Sequence, residues 1–220
     1  MIEKFSKNDQ QEYDFQKHWN KAYQNTSVNS LGWYEENPEA SLQLIEECNL
    51  EKDALIFNAG AGATTLIKKL LENDYSNIIV NDISASALSI LKNNLCTQEG
   101  AQVKFIVDDL TAPTELLKIK NVDLWHDRAV LHFFTSEKQQ NSYFDLIKKV
   151  LSPNGFVILA EFNLVGAKKC SGLDVYNYNE EMLQDRLGDN FLLLKSFNYS
   201  YIQPSGNTRE YVYTLFQRKE

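Results

Sequence analysis

The chain has 220 residues, 43% hydrophobic and 24% charged, a balance that permits one compact globular domain with a sizeable core. Its 22 Lys and Arg against 30 Asp and Glu leave a formal charge of −8, which removes any default attraction to nucleic acid. Cys48, Cys96 and Cys170 are odd in number and far apart, against a disulfide framework and against a structural zinc site, and no apolar run reaches membrane-span length. A soluble cytoplasmic protein is the expectation.

In chain order, residues 9–23 read as a polar helix carrying Tyr13, Phe15, His18, Trp19 and Tyr23. An Asn- and Ser-rich loop leads to Leu31-Gly32-Trp33-Tyr34-Glu35-Glu36-Asn37-Pro38, where Asn37 and Pro38 suit a helix cap and first turn. Next comes the most informative stretch, Ala54 to Asp82. It holds an apolar run, the turn Asn58-Ala59-Gly60-Ala61-Gly62-Ala63, a helix with Leu66, Ile67, Leu70 and Leu71, a second apolar run, and Asp82. Strand, glycine turn, helix, strand and acid form a nucleotide-binding βαβ unit. Glycine lets backbone pass close to a ligand, and an acid in Asp82's place can take ribose hydroxyls.

Ser84 then caps a helix through Leu95, and Val103–Val107 is a strand running into Asp108-Asp109-Leu110. A short helix over 113–118 and the strand Val122–Asp127 follow. Ser136 and Gln139 spell a capping box for a helix reaching Leu151. Ser152-Pro153-Asn154-Gly155 turns the chain into a strand over 156–161. After a loop over 163–178 and a helix over 179–187, two long runs, 191–201 and 209–218, flank Pro204-Ser205-Gly206-Asn207 as an antiparallel pair. The expected fold is α/β and three-layered: a Rossmann-like, seven-stranded, mostly parallel sheet with a terminal antiparallel hairpin and two N-terminal helices. It forms a single domain over 1–220, with helices and lid in 1–50 and the cofactor-binding core in 51–220.

The glycine turn alone serves nicotinamide and other nucleotide ligands alike. A nicotinamide reading lacks its third glycine, because Thr65 stands there, and lacks a Tyr-x-x-x-Lys pair, since Ile147 lies four residues past Tyr143. The turn, Asp82, Asp109, Gly155 and the closing hairpin together resemble the class I S-adenosylmethionine-dependent methyltransferases over nearly the whole chain. LGWYEENPE, WHDRAVLHFF and KCSGL are similar to a bacterial methyltransferase-domain subgroup.

That resemblance implies S-adenosyl-L-methionine as cofactor. It lays Gly60, Ala61 and Gly62 beneath the methionine part, Asp82 on the ribose, and Ile83 on the adenine. Asp108, Asp109 and Leu110 hold the adenine edge. Trp19, Tyr23 and Trp33 form an aromatic lid over the sulfonium. Asn58 stands where the family usually has an acid that helps fix the cofactor's ammonium. His126 and Asp127, at the fourth strand's end, would face the methionine and the acceptor.

His126, Asp127 and His132 are the catalytic candidates, since histidine suits proton removal near neutrality. His126 reads equally as site or structure. His132, between Leu131 and Phe133, suits a packed core ring too. Tyr34, Arg128 and Cys170 are substrate candidates, and no metal is expected. Glu35 and Glu36 fit the dipole of the helix they precede. The acceptor is a small molecule or, as the alternative, a protein lysine. No nucleic acid is expected, because His126-Asp127-Arg128-Ala129 replaces the Asn- or Asp-Pro-Pro-Tyr motif of base-amine methyltransferases. No membrane partner is expected, and the state is monomer or homodimer. A non-catalytic binding subunit and a nicotinamide oxidoreductase stand as further alternatives.

Overall fold

The computed structural model describes residues 13–95 and 102–220. Two helices come first, α1 (Phe15–Asn25) and α2 (Glu39–Glu47). The βαβ unit is β1 (Leu55–Ala59), α3 (Leu66–Glu72) and β2 (Asn77–Asp82). Then come α4 (Ala85–Asn94), β3 (Gln102–Val107), β4 (Val122–Arg128), α5 (Glu137–Val150) and β5 (Leu151–Phe162). A two-residue hairpin, β6 (Lys169–Cys170) and β7 (Leu173–Asp174), precedes α6 (Glu180–Leu187) and the long strands β8 (Phe191–Ile202) and β9 (Thr208–Arg218).

The main sheet runs β3-β2-β1-β4-β5-β9-β8. β1 to β5 are mutually parallel, and β9 joins β5 antiparallel before β8 closes the edge. This is the expected seven-stranded, mostly parallel sheet with its terminal hairpin. Strand order reverses between β1 and β4, so a crevice opens beyond their carboxyl ends, where ligands of such sheets bind.

Side-chain alternation divides the core in two. Ile56 and Leu124 face a layer built from α2, α3 and α4 through Leu44, Leu66, Leu70 and Leu88. Phe57 and Trp125, stacked at 4.3 Å between ring centroids, face Tyr143, Ile147 and Leu183 of α5 and α6. Every one of these residues except Leu88 is at most 2% exposed, so both faces of β1 and β4 are dry.

Local chemistry explains most element ends. Ser84, Ser136 and Asn179 cap α4, α5 and α6 by accepting from backbone N–H groups, and Ser136 with Gln139 completes the capping box. Asn37 does not cap α2. Its amide donates to Glu39 Oε1 at 2.8 Å, and the helix starts one residue later than its sequence suggested. Residues 152–155 fall inside the span of β5, which begins at Leu151, but the pairing with β4 passes from Leu151 to Phe156, so the expected turn is a bulge within the strand rather than a segment ahead of it. The cost is a register irregularity between Val122 and Leu124 and a left-handed Asn154. The first residues of the expected N-terminal helix lie outside the described residues; α1 is capped by Asp14, which accepts from Lys17 N.

Candidate active site

The turn after β1 is built around glycine. Gly60 and Gly62 have φ of 51° and 57°, which an L side chain adopts at a cost. A Cβ on Gly60 would strike the methyls of Val130, and one on Gly62 would strike the Tyr23 hydroxyl. Ala61 N donates to Asn81 O at 2.7 Å, tying the turn to β2. Across the crevice Ala129 also has positive φ, 68°, and this bend at the end of β4 brings Val130 against the glycine turn.

Asp82 closes β2 with its carboxylate inward. Oδ2 accepts from Gly62 N and Oδ1 from Ser84 N, both at 2.7 Å. Burial pushes its pKa up to about 6 despite those backbone donors. Each oxygen keeps a lone pair for a hydroxyl donor. Asp108 and Asp109, read together from the sequence, do different work. Asp108 accepts from the Thr114 and Leu116 backbones at 2.8 and 3.0 Å. Burial would raise its carboxyl, but these bonds outweigh it and hold the pKa below the usual range. It shapes the loop. Asp109 spends one oxygen, Oδ1, on Thr111 and is the freer of the two to meet a ligand amine.

A cleft of ≈ 840 Å³, counting its open mouth, gathers Trp19, Trp33, Gly60, Asp82, Ile83, Asp108, Asp109, Leu110, Arg128 and Cys170. A deeper space of ≈ 560 Å³ continues from it past Gly60 and Arg128 to Tyr34, Asn58, Ala61 and His126. The two share Tyr23 and Trp33, whose side chains are joined by a 2.9 Å bond from the indole N–H to the phenol oxygen. Trp19 meets Trp33 and Phe133 edge to face at 5.4 and 4.9 Å. Gly62 lines neither space, because Tyr23 covers it.

The three catalytic candidates are not brought together. His126 and Asp127 are neighbours on a strand, so they must point to opposite faces of the sheet. His126 points toward α2: Asn58 Nδ2 donates to its Nδ1 at 2.8 Å, which leaves the ring proton on Nε2, 2.9 Å from Ser41 Oγ. Burial, with Arg128 adding to it, lowers its pKa to about 3. It reaches the deep space as a neutral ring with both nitrogens engaged.

Asp127 points the other way, fully buried, accepting from Tyr143 Oη at 2.5 Å and Val130 N at 3.1 Å. Burial first, and Glu161 next, raise its pKa well above the carboxylate range. His132 is also fully buried and stacks on Phe162, with Nδ1 2.9 Å from Glu161 Oε2. Burial pushes the imidazole down and the Glu161 carboxyl up, each away from its charged form. Neither Asp127 nor His132 lines the cleft. The expectation that Asp127 faces the acceptor does not survive strand alternation.

The segment 32–35 forms a strap over the deep space. Its four consecutive carbonyls are held by side chains from three places: Gly32 O by Gln203, Trp33 O by Arg128, Tyr34 O by Tyr201, and Glu35 O by Thr65. Arg128, at the end of β4, also meets Glu35 Oε2 at 2.9 Å and Tyr213 Oη at 3.1 Å. Glu35 was assigned from sequence to its helix dipole, and its pairing with Arg128 has no local signal. Phe133 and Phe134, which line the cleft, were also overlooked, though their place just past β4 was the clue.

A family model described as a methyltransferase domain matches residues 50–219. The chain belongs to the methyltransferase-domain family. It is an S-adenosylmethionine-dependent methyltransferase, and the glycine cradle, Asp82 and Asp109 suit that cofactor's shape and hydroxyls. A curated relative, EEF1A lysine methyltransferase 2 of Danio rerio, is 22% identical over 187 residues, covering 79% of this chain and 78% of that protein. Among solved structures, an S-adenosylmethionine-dependent methyltransferase from Anabaena variabilis has a TM-score of 0.74 at 16% identity, covering 93% of both chains. The 1,6-didemethyltoxoflavin-N1-methyltransferase of Burkholderia thailandensis, solved with 1,6-didemethyltoxoflavin and S-adenosylhomocysteine, has a TM-score of 0.63 at 16% identity. That match covers 83% of this chain and 78% of the other.

Proposed function

We propose that the acceptor is a small, apolar and planar molecule, and that transfer to it uses no histidine base. The observation that carries this reading is the lining of the cleft apart from the ribose and adenine acids. Trp19, Trp33, Phe133 and Phe134 supply aromatic faces there, with Val130 and Cys170 beside them. Acids that would attract a lysine ammonium lie instead at the ribose and adenine end, as Asp82, Asp108 and Asp109, or line the deeper space rather than this cleft, as Glu35. The Burkholderia relative was solved with a small heteroaromatic acceptor, in keeping with such a lining. The Danio rerio relative keeps a protein lysine as the second reading.

The bound cofactor supplies a methyl group already activated by its sulfonium. The chain therefore has to align the acceptor, exclude water and offer aromatic faces to the cation, tasks that fit Trp19 and Trp33. His126 is neutral with both nitrogens engaged, and His132 lies in the core, so the acceptor brings its own lone pair as a neutral amine or an anion. Cys170 has its thiol pushed up to about 11 by burial, against a nucleophilic role.

The test uses labelled S-adenosylmethionine with heteroaromatic amines, phenols and thiols, beside lysine peptides. Label is expected in the small-molecule fraction, and separate His126→Asn and His132→Asn variants that remain folded should keep turnover within about tenfold. Label confined to peptide would overturn the small acceptor. A loss of 10³-fold or so in a folded variant would bring the histidine base back.

A further inference from the structure

Arg128 and Glu35 are each only 10% exposed at the side chain and sit 2.9 Å apart through Nε and Oε2. Most of the guanidinium is committed: Nε to Tyr213 as well, Nη1 to Trp33 O, and its carbon 4.9 and 5.1 Å from the rings of Tyr201 and Tyr211. Its Nη2 is buried with no partner. Leaving a buried charged donor unpaired is costly, so an unpaired one beside a cavity points to a missing acceptor. Glu35 keeps an acceptor as well. One oxygen meets Arg128, and the other accepts from no donor among the described residues.

Both residues line the deep space with Gly60, Asn58 and His126. Asn58 has spent its amide nitrogen on His126 and carries no charge. A ligand with its nucleoside part along Asp109 and Asp82 would run past Gly60 into that space, since the two spaces meet at Gly60 and Arg128.

We propose that Glu35 and Arg128 bind the amino-acid end of the cofactor, Glu35 receiving its α-ammonium and Arg128 Nη2 donating to its α-carboxylate. The strap thereby supplies the negative charge that the end of β1 does not. A zwitterion set against an ion pair keeps every buried charge matched, which neither partner achieves against a neutral ligand. The inference rests on the cofactor assignment and is independent of which acceptor is methylated.

Calorimetric titration with two probes tests it: S-adenosylhomocysteine, which carries the amino-acid end, and 5′-methylthioadenosine, which lacks it. Glu35→Gln should weaken S-adenosylhomocysteine at least about tenfold and leave methylthioadenosine within about twofold. Adding Asn58→Asp to that variant should recover most of the loss, which a purely structural role for Glu35 would not allow. Unchanged S-adenosylhomocysteine affinity in Glu35→Gln, or equal losses for both probes, would overturn the proposal while leaving the cofactor assignment intact. Failure of the wild-type chain to bind either probe would overturn the cofactor assignment, and the proposal with it.

Discussion

Asp82 should make cofactor binding depend on pH in a range where most carboxylates are silent. Its pKa of about 6 lies above the ordinary 3.8 because the group is buried, so the folded chain takes up a proton there before the unfolded chain does. A carboxyl raised in the fold destabilises it once ionised. The penalty is absent below pH 3.8, grows as the pH rises to 6, and stays near 3 kcal/mol above that. A ribose diol donates hydrogen bonds and so prefers the ionised form. Binding of S-adenosylhomocysteine should thus be strongest above pH 6 and weaken toward tenfold for each pH unit below it. Titrations between pH 5 and 7.5, in two buffers of different ionisation enthalpy, would read both the affinity and the released proton. Asp82→Asn should flatten the profile. An affinity in the wild-type chain that stays constant over that range, with no proton released, would refute the reasoning.

Two other outcomes follow from the same geometry. Gly60→Ala would place a methyl against Val130 at φ 51°, so a stability loss of about 1–3 kcal/mol in urea unfolding is expected, together with weaker S-adenosylhomocysteine binding. Tyr143→Phe removes the hydroxyl that donates to Asp127 and accepts from Trp125 Nε1, and should cost about 1–3 kcal/mol on the same assay without changing the fold.

The sheet was legible because its signals are local. Each parallel strand is a short apolar run, and Ser84, Ser136 and Asn179 announce the helices they cap. Glycines at 60 and 62 marked the crevice for the same reason, since a positive φ is written in the residue itself. Roles that depend on which way a strand faces were harder. Asp127 follows His126 on one strand, so alternation separates them, but which of the two reaches the ligand space depends on the layers packed on each face, Ser41 of α2 for His126 and Tyr143 of α5 for Asp127. Glu35 and Arg128 were hidden differently. Each has an adequate local explanation, in a helix dipole and a strand end, and their meeting depends on the path of an irregular segment. The hairpin β6–β7 inside the loop over 163–178 is only two residues a side, too short for a periodic signal.

The strap shows how access to a site can be governed from outside it. Residues 32–35 have no regular structure, yet each carbonyl is taken by a side chain. Two of those side chains, Tyr201 and Gln203, belong to the end of β8 and the turn beyond it. That edge hairpin takes no part in the glycine turn or the acid sites. Substitutions there would loosen or reseat the roof, and Trp33 and Glu35 with it, while leaving the nucleoside end untouched, so the hairpin can tune from a distance how the other end of the ligand is held.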